Sequence, residues 1–154
     1  MKKLKQFVLG LLITMVSVQT YGQEYCRFTD TYVGEIITTP IDIECSFYTN
    51  LFEENGTHGK DALGNPLIFG CVAIPYELSL GTELEIDLYP NIIFIGNDRG
   101  SKKHIKITED GTYRIDVFIP KVYGESEYEY LNRVNNMGKV KTTGRVIEQV
   151  KEYE

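Results

Sequence analysis

The sequence predicts a small all-β domain, either a barrel or a sandwich, that carries one short helix. Short runs of alternating apolar and polar residues recur along the chain, and segments rich in Gly, Asn, Asp or Pro separate them. A single segment, "SEYEYLNRVNN", has the features of a helix. The sequence shows no internal repeat and no low-complexity tract. These observations predict six or seven short strands in one domain.

The N-terminus has the pattern of a secretory signal peptide. Three lysines precede an apolar run over residues 7–18, which is too short to span a bilayer, and small or polar residues follow up to Gly22. We therefore expect residues 1–22 to be removed and Gln23 to become the first residue; an uncleaved anchor or a buried helix is the alternative. No cysteine closely follows the apolar run. The expected location is secreted or periplasmic, without a stable membrane anchor after cleavage.

Charge limits the classes of partner. Removal of residues 1–22 leaves 154 − 22 = 132 residues, and loss of three lysines changes the net charge from −6 to −9. An acidic surface argues against nucleic acid or an anionic membrane as the partner, whereas a neutral glycan remains compatible.

The first half of the mature chain predicts an arm, a strand and a long loop. Residues 23–40 are expected to form an extended arm or an edge strand that Pro40 ends. In residues 41–49, "IDIECSFYT", apolar and polar residues alternate as in a half-buried strand. Residues 50–66, "NLFEENGTHGKDALGNP", are rich in Gly, Asn and charge, which predicts a long surface loop of functional or mobile character.

The second half predicts further strands and the helix, so the domain is expected to cover residues 41–150. Gly70 suggests a bulge or bend in "LIFGCVAIP", and Ser126 with Glu129 predicts a capping box at the start of the helix. Gly138 is expected to end that helix. The remaining predicted strands are "LGTELEIDLYP", "NIIFIG", "KHIKIT", "RIDVFIP" and a strand pair within "KVKTTGRVIEQV".

Two aspartates accompany apolar strands where a charge is unfavourable. Asp116 lies within "RIDVFIP" among β-branched and aromatic residues, and Asp98 follows "NIIFIG" in the predicted turn "NDRG". A carboxylate near a core needs either a partner or a function. A charge pair with Arg114 or Arg99 is the structural alternative for Asp116, and an ordinary turn residue is the alternative for Asp98.

Several other classes of site lack their sequence signals. The only histidines, His58 and His104, have no second ligand at a usual metal spacing, so neither a metal site nor a cofactor is predicted. Ser/His/Asp signatures, phosphate-binding loops and GxGxxG are also missing.

Four pieces of sequence, in order, resemble one protein family. They are "ECSFYT", "GKDALGNPLIFGCVAIPYELSLGTELEI", "IGNDRG", and "YRIDVFIP" followed by the helix and "GKVKTTGRVIE". Together they resemble the 3D-domain family, named for three aspartates, which belongs with the RlpA-like proteins to the double-psi β-barrels. The resemblance covers residues 41–148.

The resemblance implies a six-stranded double-psi β-barrel with a glycan groove and peptidoglycan lytic transglycosylase chemistry. Asp98 matches the family's D-x-G aspartate and Asp116 its I-D-V aspartate, which makes these two the expected catalytic pair. The third aspartate does not carry over, because "VAIP" stands where the family has V-A-V-D-P. A single carboxyl group can act first as acid and then as base if its pKa is raised. Expected substrate-binding residues are Tyr48, Lys60, Asp61, Arg99 and Gly100.

The cysteine count leaves the disulfide pattern open. Cys26, Cys45 and Cys71 give an odd number, so one thiol is expected to be free or to pair with another chain. Cys45 and Cys71 lie in predicted core strands that the family order brings together, which makes them the candidate disulfide. A bridge from Cys26 to either one is the alternative.

Two functions follow from the sequence. The first is a secreted lytic transglycosylase that acts on peptidoglycan or a related glycan through Asp116 and Asp98. The second is a glycan-binding or wall-loosening module, similar to an expansin, that retains the groove without turnover. A structural domain whose acids form salt bridges is the third interpretation.

Overall fold

The computed structural model describes residues 36–56 and 59–149, and this part of the chain is mostly β. The predicted signal peptide, most of the predicted arm, Cys26 and His58 lie outside these residues. The strands and helices, in chain order, are β1 (Ile36–Tyr48), α1 (Phe52–Asn55), β2 (Cys71–Ala73), β3 (Thr82–Ile86), β4 (Ile93–Asp98), β5 (Tyr113–Phe118), α2 (Glu127–Asn135) and β6 (Val140–Gln149).

The six strands pair into a closed ring in the order β1-β5-β2-β4-β3-β6. Two pairings are parallel, β1 with β5 and β2 with β4, and the other four are antiparallel. Neighbours in the ring are mostly distant in sequence, so the connections cross over. The all-β prediction is confirmed at this level.

Apolar and polar residues alternate along the strands, so apolar side chains from one face of the sheet fill the interior of the ring. Side chains from all six strands and from α2 form one core, which includes Ile115, Val117 and Ile119. On the opposite face of the sheet, Tyr48, Leu67, Cys71 and Phe118 form a second, smaller buried cluster, the outer cluster. Leu67 belongs to the segment between α1 and β2, so this segment covers part of the outer face.

The start of helix α2 follows its sequence signals, but its end does not: the helix ends at Asn135 with Asn136 as its C-cap, and Gly138, which was expected to end it, lies two residues further on. The Ser126 hydroxyl accepts from the Glu129 backbone N–H, and the Glu129 carboxylate accepts from the Ser126 N–H, which completes the predicted capping box. Tyr130 and Val134 are buried, and the Tyr130 hydroxyl donates to the Ile119 carbonyl at 2.5 Å. These contacts attach α2 to the ring at the end of β5.

Pro40 does not end the first extended segment. β1 runs through it, and Pro40 is paired in register with Arg145 of β6. Pairing of β1 with β5 begins only at Ile43. Within the described residues the earlier part of β1 therefore has one edge without a strand partner, and a proline is tolerated at such an edge.

Two other strand predictions were wrong. "KHIKIT" contains no strand: Ile105 is buried, Cβ on Gly100 would collide with its side chain, and only Ile107 forms an isolated bridge, to Tyr113. "KVKTTGRVIEQV" forms one strand, β6, rather than a pair, because Gly144 marks a close approach and not a turn. Cβ on Gly144 would collide with the Glu85 carbonyl oxygen of β3.

The predicted long loop is partly structured. It begins with the one-turn helix α1, and Lys60 and Pro66 form an isolated bridge within it. In the described part of the chain, neither helix has the length and hydrophobicity needed to cross a bilayer.

Candidate functional site

Four adjacent strands place one residue each in a single row across the sheet. The register pairs Ser46 of β1 with Asp116 of β5, Asp116 with Ala73 of β2, and Ala73 with Asp98 of β4. Because Ile115 and Val117 point into the core, Asp116 points to the outer face. The two aspartates predicted as a pair thus lie in one row, with Ala73 between them.

A β-bulge in β4 puts Asp98 in this row. Cys71 is paired with Ile95, but Ala73 is paired with Asp98, so β4 has one more residue than β2 over this stretch. Without the extra residue Asp98 would share the inward face of Phe94, since strand side chains alternate. The bulge turns the Asp98 side chain to the outer face, where the Tyr48 hydroxyl reaches it.

Asp116 is a mostly buried carboxyl that forms no ion pair with the described residues. Its Oδ1 has no hydrogen-bond partner in the described part of the chain. Burial, together with the negative charges of Glu54 and Asp98, raises the pKa of Asp116 to about 6, while the Ser46 hydroxyl and Lys139 oppose the rise. The group can therefore be protonated near neutral pH, which an ordinary aspartate is not.

Asp98 has a different environment, with both oxygens occupied. The Tyr48 hydroxyl donates to its Oδ2 at 2.7 Å, and the Arg99 backbone N–H donates to its Oδ1 at 2.8 Å. Asp98 is only 6% exposed and is the last residue of β4, so it is not an ordinary turn residue. Burial is the main cause that raises the pKa of Tyr48, and the charge of Asp98 adds to it.

The arginines proposed as partners of Asp116 are engaged elsewhere. Arg114 forms an ion pair with Glu44 at 3.1 Å. The Arg99 guanidinium donates to the carbonyl oxygens of Ile74, Pro75 and Leu78. The charge-pair alternative for Asp116 is therefore wrong in this structure, and Arg99, an expected substrate-binding residue, holds the segment after β2 in place.

Asp61 organises the segment that covers the outer face. It is 3% exposed, and its carboxylate accepts from the backbone N–H groups of Leu63 and Asn65 and from the side-chain amide of Asn97 at 2.8 Å. A carboxylate bound in this way positions the segment against β4. Asp61 was expected to bind substrate. In the structure its buried carboxylate oxygens instead accept hydrogen bonds from the protein, so its role is structural.

The other expected binding residues are dispersed. Tyr48 is buried in the outer cluster and binds Asp98, Lys60 is exposed in the segment before β2, and Gly100 is in close contact with Ile105. Of the sequence-predicted residues, Asp98 contacts both Tyr48 and the backbone N–H of Arg99, and Asp116 lies in the same row as Asp98.

The predicted disulfide between Cys45 and Cys71 is not formed, and both are buried free thiols. Cys45 belongs to the interior core, whereas Cys71 belongs to the outer cluster. Side chains on opposite faces of a sheet cannot be bridged without moving the backbone. Burial raises the pKa of the Cys45 thiol to about 12.

Three residues of the site were missed in the sequence. Ser46 lies opposite Asp116, Glu54 contributes to its charge environment, and Asn97 donates to both Asp61 and the Cys71 sulfur. The only sequence signal was the polar position of Ser46 in an alternating strand. Glu54 folds back from α1, where it accepts from the Thr49 N–H at 2.8 Å and the Thr49 hydroxyl at 2.7 Å.

No group of three or more His, Cys, Asp or Glu side chains in the described residues is arranged to hold a metal ion.

No protein-family model matches the chain, and no curated protein matches its sequence.

Proposed function

We propose that this chain is a secreted peptidoglycan lytic transglycosylase that cleaves the MurNAc–GlcNAc bond with Asp116 as its acid and base. We further propose that it belongs to the 3D-domain, RlpA-like group and that its ring of strands is a double-psi β-barrel. The closed six-stranded ring, its two parallel pairings and its crossing connections support this classification. The row that joins Asp116 and Asp98 supports the choice of site.

The state of Asp116 is the observation that carries the proposal. A general acid must hold a proton at the pH of the reaction, so its pKa must lie near that pH. Asp116 has a pKa of about 6, raised mainly by burial, and its buried Oδ1 has no partner among the described residues. At pH 7 roughly a tenth of such groups are protonated, compared with about a thousandth for an ordinary aspartate.

The reaction needs only one such group. Protonated Asp116 donates its proton to the bridging oxygen as the glycosidic bond breaks, which releases the leaving sugar as an alcohol. The resulting carboxylate then takes the proton of the 6-hydroxyl of the same MurNAc, whose oxygen attacks the anomeric carbon to form the 1,6-anhydro ring. The proton returned to Asp116 restores the starting state, and no water is consumed.

Asp98 acts through Asp116 in this scheme and is a positioning residue. Its hydrogen bonds to Tyr48 and to the Arg99 N–H fix its carboxylate in the row. From there its charge favours the protonated form of Asp116.

Release of anhydro-muropeptides from purified sacculi tests the proposal. We expect the wild-type protein to release them and Asp116→Asn to release none above background. Asp42→Asn, which removes an exposed aspartate elsewhere on β1, is the matched control and is expected to retain activity. Sacculi that yield no anhydro sugar with a folded wild-type protein contradict the enzymatic function.

A glycan-binding module without turnover is the second candidate, and one observation favours it. The segment "VAIP" lacks the third family aspartate, and its Ile74 is fully buried in the core and contacts Gly96 so closely that Cβ on Gly96 would collide with it. This position cannot present a carboxylate to a ligand. Co-sedimentation of the wild-type protein with sacculi that remain uncleaved supports this second function.

A further inference from the structure

Residues 99–106, "RGSKKHIK", form a basic loop on an acidic chain. The loop contains Arg99, Lys102, Lys103 and Lys106 and no acid, whereas the whole chain has a net charge of −6. It directly follows Asp98, so it begins at the end of the row that contains Asp116.

Within the described residues, the cations of this loop form no ion pairs. The four ion pairs found there use Arg114, Arg133, Lys139 and Arg145, none of which belongs to the loop. Lys102, Lys103 and Lys106 are exposed. A surface of unpaired cations on an otherwise acidic protein attracts an anion.

The loop is held in a defined conformation. Ile105 is 4% exposed and packs against Gly100, and the Ser101 carbonyl accepts from the backbone N–H groups of His104 and Ile105 at 2.8 Å each. The Lys102 ammonium lies 4.5 Å from the centre of the Tyr76 ring, and the Arg99 guanidinium lies 5.0 Å from it. Preorganised cations lose less entropy when a ligand binds than free surface lysines do.

The chemistry of the loop favours one kind of partner. Its only large apolar side chain, Ile105, is buried, so the loop has no apolar group to insert into a lipid layer. The Arg99 guanidinium already donates to three carbonyl oxygens, so the lysine ammonium groups are left as the binding groups of the loop. An acidic chain with three such lysines is a poor match for nucleic acid, whose binding depends on many phosphate contacts. Isolated carboxylates spaced along a polymer fit these ammoniums.

We propose that the basic loop binds carboxylates carried by a glycan strand, so that the protein binds a carboxylate-bearing wall glycan more tightly than a neutral glycan. This inference rests on the proposed function, because it places the strand along the row from Asp116 and Asp98 to the loop. The loop then serves as a substrate-selection surface beside the site of cleavage.

Binding assays with a matched pair of double variants test the inference. Lys102→Gln/Lys103→Gln removes two charges from the loop, and Lys121→Gln/Lys141→Gln removes two exposed lysines elsewhere. We expect the loop variant to bind intact sacculi about tenfold more weakly than wild type, and the control variant to bind as wild type does. Chitin, a neutral glycan without carboxylates, should bind wild type and loop variant equally. Equal binding of both variants to intact sacculi, or equal binding of wild type to intact sacculi and to chitin, overturns the inference.

A soluble probe separates failure of the inference from failure of the proposed function. Oligogalacturonate carries carboxylates but is not a substrate for anhydro-muropeptide formation. In one outcome the loop variant loses binding to oligogalacturonate, the control variant retains it, and no variant binds sacculi. That outcome supports the carboxylate-binding surface and rejects the wall-glycan function. Anhydro-muropeptide release that is unaltered by the loop variant, together with no binding to oligogalacturonate, rejects the surface and keeps the function. Stronger binding to phosphatidylglycerol vesicles or to DNA than to sacculi or oligogalacturonate also rejects the carboxylate-binding surface.

Discussion

The Tyr48 hydroxyl donates a hydrogen bond of 2.7 Å to Oδ2 of Asp98. Tyr48 is the last residue of β1 and Asp98 the last of β4, and β5 and β2 lie between these strands in the ring. The bond therefore reaches across the outer face of the two strands that carry Asp116 and Ala73. It fixes the carboxylate of Asp98, whereas Oδ1 of Asp116 has no hydrogen-bond partner in the described part of the chain.

Loss of this bond should weaken the fold. Tyr48→Phe keeps the ring that packs against Phe118 at 5.7 Å between ring centres, but it leaves a buried carboxylate oxygen without its donor. We expect the free energy of unfolding to fall by about 1–3 kcal/mol, measured by urea denaturation. Tyr123→Phe, at a fully exposed position, is the control and should change nothing measurable. A Tyr48→Phe protein as stable as wild type would show that this bond contributes little.

Asp116→Asn should remove cleavage without unfolding the protein. Asparagine keeps the shape of the side chain but cannot cycle a proton, so the rate should fall by roughly 10² to 10⁴. Anhydro-muropeptide release and circular dichroism together check this outcome. Full activity of the variant, or its collapse into an unfolded state, contradicts the catalytic role.

The pH dependence of cleavage should follow the protonation of Asp116. Its pKa of about 6 predicts that kcat/KM is level at lower pH and falls about tenfold per pH unit above that value. Glu54→Gln removes one of the charges that raise this pKa, so the fall should begin at a lower pH. Glu53→Gln, its exposed neighbour on α1, is the control. Profiles that are identical for Glu54→Gln and Glu53→Gln would show that Glu54 does not act on the acid.

The same carboxyl group should also make stability depend on pH. Aspartate ionises at about 3.8 in the unfolded chain and at about 6 in the fold, so the folded state holds the proton more tightly between these values. Stability then decreases as pH rises from 3.8 to 6, by an amount of the order of 3 kcal/mol. Asp116→Asn should therefore be more stable than wild type at pH 8 and nearly equal to it below about pH 4. Thermal unfolding at both pH values measures the difference, and a variant that is less stable at pH 8 contradicts it.

The two described cysteines should be found as free thiols. Cys45 faces the interior and Cys71 faces the outer cluster. A disulfide between them would require one of the two strands to turn its cysteine side chain to the opposite face of the sheet. Non-reducing peptide mapping after alkylation in denaturant should recover both residues alkylated. Recovery of a peptide in which Cys45 is linked to Cys71 would contradict the arrangement of β1 and β2.

The sequence alone determined the class of the fold and the faces of several strands. Alternation in β1 and β5 identified the inward residues, because a buried interior requires apolar side chains at every second position. The capping box of α2 was also readable, since its two hydrogen bonds join residues only three apart. Local signals of this kind involve residues close together in the chain. Asp116 stood out for the same reason, as a charge among apolar neighbours.

Only the tertiary structure decided what depends on residues far apart in sequence. The closed ring brings β1 next to β5 and β2 next to β4, and neither adjacency is encoded in a local pattern. The bulge in β4 moves Asp98 to the outer face, and a bulge of one residue is defined by its partner strand, β2. From the sequence Gly144 is predicted to be a turn residue, but in the structure it lies within β6, where β3 packs closely against it. The raised pKa of Asp116 also requires the fold, because burial by segments distant in the chain is its largest cause.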